Sequence, residues 1–145
     1  WYQAFHQLEW SAELVGQSRD TCRVYFRHFL NHWAHADGQF DCDLDAWVDN
    51  FMTPGNLQGG FNWYRAVADY RQKIIDDGVP SLSPIDVPTY VLWGENDTVL
   101  RPEWSDGMEK YFTNITIETA KDAGHFVHYE RPSLANERIL AFFSG

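Results

Sequence analysis

The sequence predicts an α/β fold preceded by an all-helical segment. In the second half of the chain, two short strand patterns alternate with two helix patterns, an order that is typical of parallel α/β architecture. In the first half, apolar residues recur only at helical spacing. A turn-rich stretch over 76–84 separates the halves. We therefore expect two domains, a helical domain over residues 1–82 and part of an α/β core over residues 83–145.

Helix patterns fill the first half. They cover residues 2–15 with a break near 9–11, 18–38, 43–51 and 57–75. Ser18 stands at the start of the second pattern, where its hydroxyl is suited to cap a helix, and Asp43 starts the third. Pro54 and Gly55 end the third pattern, because neither residue continues a helix readily.

The second half begins with a strand pattern. Val87 to Gly94 is a nearly continuous apolar run that ends in glycine, as expected for a strand buried on both faces of a parallel sheet. The next elements are expected over 102–112 as a helix, 114–119 as a strand and 132–143 as a helix with Pro132 at its first position. Two parallel strands cannot bury both of their faces, so we expect further strands from other polypeptide.

Composition and charge exclude several classes of protein. The 145 residues include 44% hydrophobic and 17% aromatic side chains, which is enough apolar material for a compact core. With 21 acidic against 11 basic residues, the net charge of -10 repels nucleic acid and anionic membrane surfaces, so we expect neither as a partner. No apolar run approaches the roughly 20 residues of a membrane-spanning helix, and no signal peptide pattern is visible, so we expect a cytoplasmic protein.

Asp97 and His125 are the strongest candidates for chemistry. Each follows one of the two predicted strands, and a glycine stands shortly before each. Ligands gather at the carboxyl edge of parallel sheets, where a carboxylate can orient an imidazole so that it activates a nucleophile or a water molecule. The alternatives are a turn-capping Asp97 with a surface histidine, or Glu95 or Glu130 as the acid in place of Asp97.

Two stretches carry a resemblance to a known family. The sequence P-T-Y-V-L-W-G-E-N-D and, after a helix and a strand, A-G-H-F-V-H-Y-E-R-P resemble the carboxyl-terminal end of the α/β-hydrolase fold. The resemblance implies that Asp97 and His125 are the acid and the base of a catalytic triad. It also implies that the helical first half is the cap that this fold inserts after its sixth strand. The expected fold is thus the carboxyl-terminal part of an α/β-hydrolase core, with two parallel strands, preceded by a helical cap.

Two further motifs resemble the paired tyrosine motifs of epoxide hydrolases. They are W-Y-Q-A-F-H at the start of the chain and G-F-N-W-Y-R-A within the fourth helix pattern. The resemblance implies that Tyr2 and Tyr64 hold the epoxide oxygen. A phenol with a pKa of about 10 can donate a proton to the alkoxide that forms when the epoxide ring opens. The alternative for both tyrosines is packing in an aromatic core. Trp1, Trp63 and Phe126 are expected to contact a small apolar substrate, and no metal or organic cofactor is implied.

The sequence lacks a nucleophile motif of this fold. Neither Gly-x-Ser-x-Gly nor Gly-x-Asp-x-Gly occurs in it. The chain starts at Trp1 directly inside an amphipathic pattern, which favours a piece of a longer protein. We therefore expect the N-terminal half of the hydrolase, as a separate chain or a cleaved piece, to supply the nucleophile. The 145-residue chain alone is expected to be inactive, because a base without its nucleophile has no covalent route.

Several functions stay open alongside epoxide hydrolysis. Haloacid and haloalkane dehalogenases use the same aspartyl ester, and their caps bind the halide with donors such as a tryptophan indole, a role that Trp1 and Trp63 are suited to. A serine nucleophile would make the protein an esterase or a carbon-carbon bond hydrolase. The alternative from another class is a ligand-binding member of the fold without catalysis.

Two polar clusters give weaker signals. The histidines of 28–35 fall at helical spacing, but only Asp37 is near enough in sequence to be a fourth ligand, so we expect a polar helix face rather than a zinc site. The aspartates of 41–45 alternate as in a calcium loop. Ala46 and Met52 stand where that loop needs glycine and glutamate, so we do not expect calcium.

Overall fold

Helices occupy the first half of the chain, and the computed structural model describes residues 1–144. The helices of this half are α1 (Tyr2–Phe5), α2 (Ser11–Val15), α3 (Arg19–Trp33), α4 (Leu44–Met52), α5 (Asn56–Ala66) and α6 (Ala68–Asp77). Helix α3 is capped as predicted, because Ser18 Oγ accepts the backbone N–H of Thr21 over 3.1 Å. The break between α1 and α2 covers 6–10, so it begins earlier than the predicted 9–11.

Two predicted helix patterns are wrong in their extent. The pattern over 57–75 is split into α5 and α6 at Val67, which has φ -96° and ψ -3°. The β-branched side chain of valine gives it a lower helix propensity than an unbranched residue has. The pattern over 18–38 ends at Trp33. Its carbonyl oxygen accepts the backbone N–H of His125 over 2.8 Å instead of continuing the helical ladder.

Two parallel strands form the sheet that the structure describes in the second half. The elements of this half are β1 (Thr89–Gly94), β2 (Ile115–Ala120), α7 (Val127–Glu130) and α8 (Pro132–Ser144), with short 3-10 helices at Pro102–Ser105 and Met108–Lys110. Thr89 pairs with Ile115 and Gly94 with Ala120, so the predicted parallel strands are confirmed. The predicted helix over 102–112 is wrong, because Gly107 interrupts it with a φ of 85°.

The sheet is less buried than its sequence pattern predicts. Strand β1 is half-buried over its length except at Gly94, whereas a continuous apolar run is typical of a strand covered on both faces. The buried apolar cluster at the sheet comprises Ala120, Ala123 and Val127, with Leu92 and Leu134 partly buried against them. On α8, Leu140 and Phe143 are 68% and 81% exposed. The apolar surface of this half therefore exceeds what its own elements cover.

The chain divides into two compact units. The first unit comprises Trp1–His28 and Phe40–Ser81, and the second comprises Phe29–Gln39 and the residues from Leu82 onward. The first unit is helical, and its most deeply buried apolar side chains are Val15, Cys22, Phe40, Leu44 and Val48. The second unit contains the sheet together with α7, α8 and the end of α3. Within residues 1–144, no helix has both the length and the apolar character needed to cross a bilayer.

Candidate active site

Asp97 is fixed in the loop that follows β1. Its Oδ1 atom accepts the backbone N–H groups of Val99 and Leu100 over 2.8 and 2.9 Å, which closes a turn around the carboxylate. The residue is only 7% exposed, so its carboxylate lies inside the protein rather than in bulk water. These contacts fix the direction in which the second carboxylate oxygen points.

The second oxygen of Asp97 contacts His125. Oδ2 lies 2.9 Å from Nδ1 of the imidazole, which stands in the loop after β2. Because a carboxylate only accepts hydrogen bonds, Nδ1 donates to it, and in the neutral imidazole Nε2 then keeps its lone pair. The structure thus brings together the two residues that the sequence placed at the sheet edge. In this arrangement the imidazole can act as a base and the carboxylate orients it.

Two glycines allow the loops of this pair to approach each other. A Cβ atom on Gly94 would lie 2.0 Å from the carbonyl oxygen of Gly124, and a Cβ atom on Gly124 would lie 2.5 Å from the carbonyl oxygen of Trp33. Packed protein interiors leave no room for such overlaps, so a larger residue at either position displaces a loop. The glycine that precedes Asp97 and the one that precedes His125 are therefore required by close backbone contact.

We expect Gly94→Ala to lower the free energy of unfolding by about 1–3 kcal/mol, the usual cost of forcing extra atoms into a packed region. The clash is with backbone atoms of Gly124, which cannot move aside as a flexible side chain can. The matched control is Gly59→Ala in α5, because a Cβ there has nothing within 4 Å and alanine favours a helix. Urea unfolding midpoints of both variants test this. A midpoint of Gly94→Ala equal to that of the wild type would contradict it.

The carboxylate of Glu130 binds backbone groups rather than the imidazole. Its two oxygens accept the N–H groups of His35, Gly124 and Phe126 over 2.7 to 3.0 Å. In the structure, Asp97 rather than Glu130 contacts the imidazole of His125. Glu130 stands close to the histidine motif in the sequence, but the backbone groups that it binds are not visible there.

Trp33 lies next to His125, a contact that the sequence pattern did not predict. Its ring centroid lies 5.4 Å from that of His125, with an angle of 73° between the ring planes. Phe126, which we expected to contact substrate, lies beside both, at 5.3 Å from the histidine ring and 6.3 Å from the indole. Trp33 comes from the last turn of α3, and no local spacing links it to a residue so distant in the sequence.

Tyr2 and Tyr64 lie next to each other in the first unit. Their ring centroids are 5.9 Å apart and their planes meet at 89°. The ring of His6 lies against both, 4.5 Å from Tyr64 and 5.9 Å from Tyr2, and it stacks on Phe61 at 4.1 Å. The two tyrosines are partly buried, so they combine aromatic packing with some access to solvent. The structure thus brings together the two tyrosines of the paired motifs, and their catalytic role stays a prediction.

Burial sets the protonation states in this aromatic cluster. It raises the pKa of the Tyr64 phenol, and the neighbouring Tyr2 raises it further. Burial also lowers the pKa of His6 to about 4, so its imidazole is neutral at neutral pH. Nε2 of that imidazole shares a 2.5 Å hydrogen bond with Oη of Tyr25. Tyr64 is therefore a neutral phenol at neutral pH, with a proton that it can give to a strong base such as an alkoxide.

The two tryptophans that we expected at the substrate site are exposed residues of the first unit. Trp1 is 70% exposed and its ring centroid lies 6.5 Å from that of Tyr25. Trp63 is 55% exposed and contacts Tyr64 edge to face at 5.0 Å. The guanidinium of Arg71 lies 5.2 Å from the centre of the Trp63 ring. Trp63 thus contacts the tyrosine pair through Tyr64.

The two polar clusters are not arranged as metal sites. In the part of the chain that the structure describes, no three histidine, cysteine or acidic side chains are grouped to hold a metal ion. His35 lies beyond the end of α3 at Trp33, so it does not extend the helix face that carries His28 and His32. Among the aspartates of 41–45, Asp41 lies 3.4 Å from the guanidinium of Arg27 in an ion pair.

Comparison with known proteins identifies several relatives, although no protein-family profile matches the chain. The chain is 26% identical over 152 residues to epoxide hydrolase 4 of Homo sapiens. This alignment covers 97% of this chain and 38% of the human protein. It is similar to the crystal structure of Cfl2 from Burkholderia cenocepacia, with a TM-score of 0.78, 24% identity, and coverage of 99% of this chain and 47% of that one.

A second solved structure gives the same result. The epoxide hydrolase CorEH aligns with a TM-score of 0.75 and 21% identity, over 99% of this chain and 49% of its own. The chain therefore spans about half or less of the length of these three proteins.

Proposed function

Because this chain has the fold of the C-terminal part of an α/β hydrolase and its homologues are epoxide hydrolases and other α/β hydrolases, we propose that it forms the cap and the base-bearing part of an epoxide hydrolase. In this proposal, residues 1–82 are the cap and residues 83–145 are the last part of the core. The observation that carries the proposal is the contact between Tyr2 and Tyr64, because an acid and a base alone are common to many hydrolases.

The first step of the proposed reaction opens the epoxide. A carboxylate supplied by polypeptide outside this chain attacks an epoxide carbon, and the carbon-oxygen bond of the ring breaks. The product is an ester of the protein carboxylate. The former epoxide oxygen, on the adjacent carbon, carries the negative charge that develops as the ring opens. Tyr2 and Tyr64 donate hydrogen bonds to this oxygen, and one of them transfers its proton to it.

The second step hydrolyses the ester. Nε2 of His125 accepts a proton from water as the water oxygen attacks the ester carbonyl, and Asp97 stabilises the resulting imidazolium. The tetrahedral intermediate expels the diol oxygen, which takes the proton of the newly formed carboxylic acid. The proton on His125 returns through solvent to the tyrosinate, so epoxide and water are converted into diol with every group restored. The proposed steps use only protein side chains and water.

The proposed function is tested with the complete protein that contains this chain. We expect it to convert styrene oxide into the diol, measured by chromatography, and to release no chloride from chloroacetate. The indole of Trp63 beside Tyr64 is the observation that favours a dehalogenase instead. Chloride release without diol would establish that second function. Ester hydrolysis by a serine nucleophile would establish an esterase, and binding of substrate without any product would establish a ligand-binding protein.

We expect Tyr64→Phe to slow epoxide opening by about 100-fold, the effect of removing one donor to a developing oxyanion. The change removes only the hydroxyl and keeps the ring that packs on His6 and Tyr2. Tyr70→Phe is the matched control, because Tyr70 is 61% exposed on the following helix. The disappearance of styrene oxide is measured under single-turnover conditions. If both variants open the epoxide at the wild-type rate, Tyr64 has no part in the reaction.

A further inference from the structure

We propose that Glu130 is a positioning residue that holds His125 in its working orientation by tying the histidine loop, residues 123–126, to the strap segment, residues 32–35. This inference rests on the proposed function, because it concerns the step in which His125 activates water. Glu130 acts through the backbone and not on the substrate itself.

Glu130 binds the peptide groups on both sides of the histidine. Its Oε2 accepts the N–H of Gly124 over 3.0 Å and its Oε1 accepts the N–H of Phe126 over 3.0 Å. The N–H groups of the residues immediately before and after His125 are therefore bound to one carboxylate. Hydrogen bonds to an ionised carboxylate are stronger than those between neutral groups, so this attachment restricts how far the loop can rotate.

The same carboxylate also holds the strap segment. Oε2 of Glu130 accepts the backbone N–H of His35 over 2.7 Å. The strap segment accepts two further hydrogen bonds. The N–H of His125 donates to the carbonyl of Trp33, and the hydroxyl of Thr98 donates to the carbonyl of His32. Every one of these contacts lies within the second unit.

The strap segment carries an aromatic wall for the imidazole. The indole of Trp33 stands edge to face with the ring of His125, on a backbone that has no room for a Cβ at Gly124. Rotation of the imidazole away from Asp97 is thereby limited from two sides, by the indole and by the hydrogen bond at Nδ1. The hydrogen bonds of Glu130 hold both backbone segments, the histidine loop and the strap segment, in this geometry.

The test is Glu130→Gln in the complete protein. The amide keeps the shape of the side chain, but one oxygen becomes an NH2 group, which cannot accept a hydrogen bond from a backbone N–H. We expect hydrolysis of the ester to slow by about 10- to 100-fold, the effect of a small misplacement of a catalytic group. Epoxide opening should keep its wild-type rate, because His125 does not act in that step.

The two steps are separated by rapid mixing with styrene oxide, which follows loss of epoxide and appearance of diol in the same sample. Glu109→Gln is the matched control, because Glu109 is an exposed glutamate of the same unit and the change removes the same charge. Glu130→Asp retains the carboxylate and should recover part of the hydrolysis rate. The amplitude of the first turnover reports the folded fraction of each variant.

The outcomes distinguish this inference from the proposed function. Slow ester hydrolysis with normal epoxide opening, partly restored in Glu130→Asp, supports the positioning role. Wild-type ester hydrolysis in Glu130→Gln overturns it, as does an equal slowing of both steps, which a purely structural role would produce. If the wild-type protein forms no diol at all, the proposed function fails, and this inference fails with it.

Discussion

Replacing His125 with glutamine is expected to lower diol formation by about 100- to 10,000-fold, the usual contribution of a general base. Epoxide opening should continue for one turnover, because in the proposed mechanism that step uses the nucleophile and the tyrosine pair. The imidazole is the group whose free Nε2 can accept the proton of the attacking water, since its Nδ1 is bound to Asp97 over 2.9 Å. The measurement compares loss of styrene oxide with appearance of diol when the protein is in excess.

A second histidine provides the control for this variant. His128 lies three residues further along the chain, on α7, and is exposed. We expect His128→Gln to form diol at the wild-type rate. Diol formation by His125→Gln at more than a tenth of the wild-type rate would show that another group activates water.

Asp97→Asn is expected to lower diol formation by about 10,000-fold, the effect seen when a triad aspartate loses its charge but keeps its shape. The amide can still accept the N–H groups of Val99 and Leu100 through its oxygen, so the loop should stay in place. Its NH2 group then faces Nδ1 of His125 as a donor. The imidazole has to place its proton on Nε2, where the lone pair is needed, and it loses its function as a base.

The control for this variant is Asp106→Asn, an exposed aspartate of the same unit. Both variants are compared with the wild type for diol formation and for thermal unfolding. We expect the loss of activity in Asp97→Asn without a matching loss of stability. Activity within tenfold of the wild type would mean that Asp97 does not orient the base.

The sequence predicted the elements whose signals are local. The strand pattern that ends at Gly94, the cap of α3 at Ser18 and the start of α8 at Pro132 are all found in the structure. The predicted helix over 102–112 is wrong because a single glycine, Gly107, takes a positive φ inside it. Apolar spacing alone does not show where such a break occurs, because the break depends on the backbone conformation of one residue.

The contacts of the candidate site also divide into those that the sequence predicted and those that it did not. Asp97 and His125 were predictable as neighbours, because the carboxyl ends of adjacent parallel strands lie at one edge of a sheet. Trp33 and the backbone bonds of Glu130 were not, because they join segments that are distant in the sequence. The resemblance of the sequence to α/β hydrolases is confirmed by the relatives. The roles of individual side chains stay predictions.

In the proposed mechanism, the Asp97–His125 pair activates water to hydrolyse an ester, and not to attack the epoxide directly. A single turnover of styrene oxide in heavy-oxygen water, with the complete protein in excess, tests it most directly. The ester route predicts a first diol without heavy oxygen, because its new oxygen comes from the protein carboxylate, and it predicts the label in that carboxylate. Heavy oxygen in the diol of the first turnover, with none in the protein, would contradict the account.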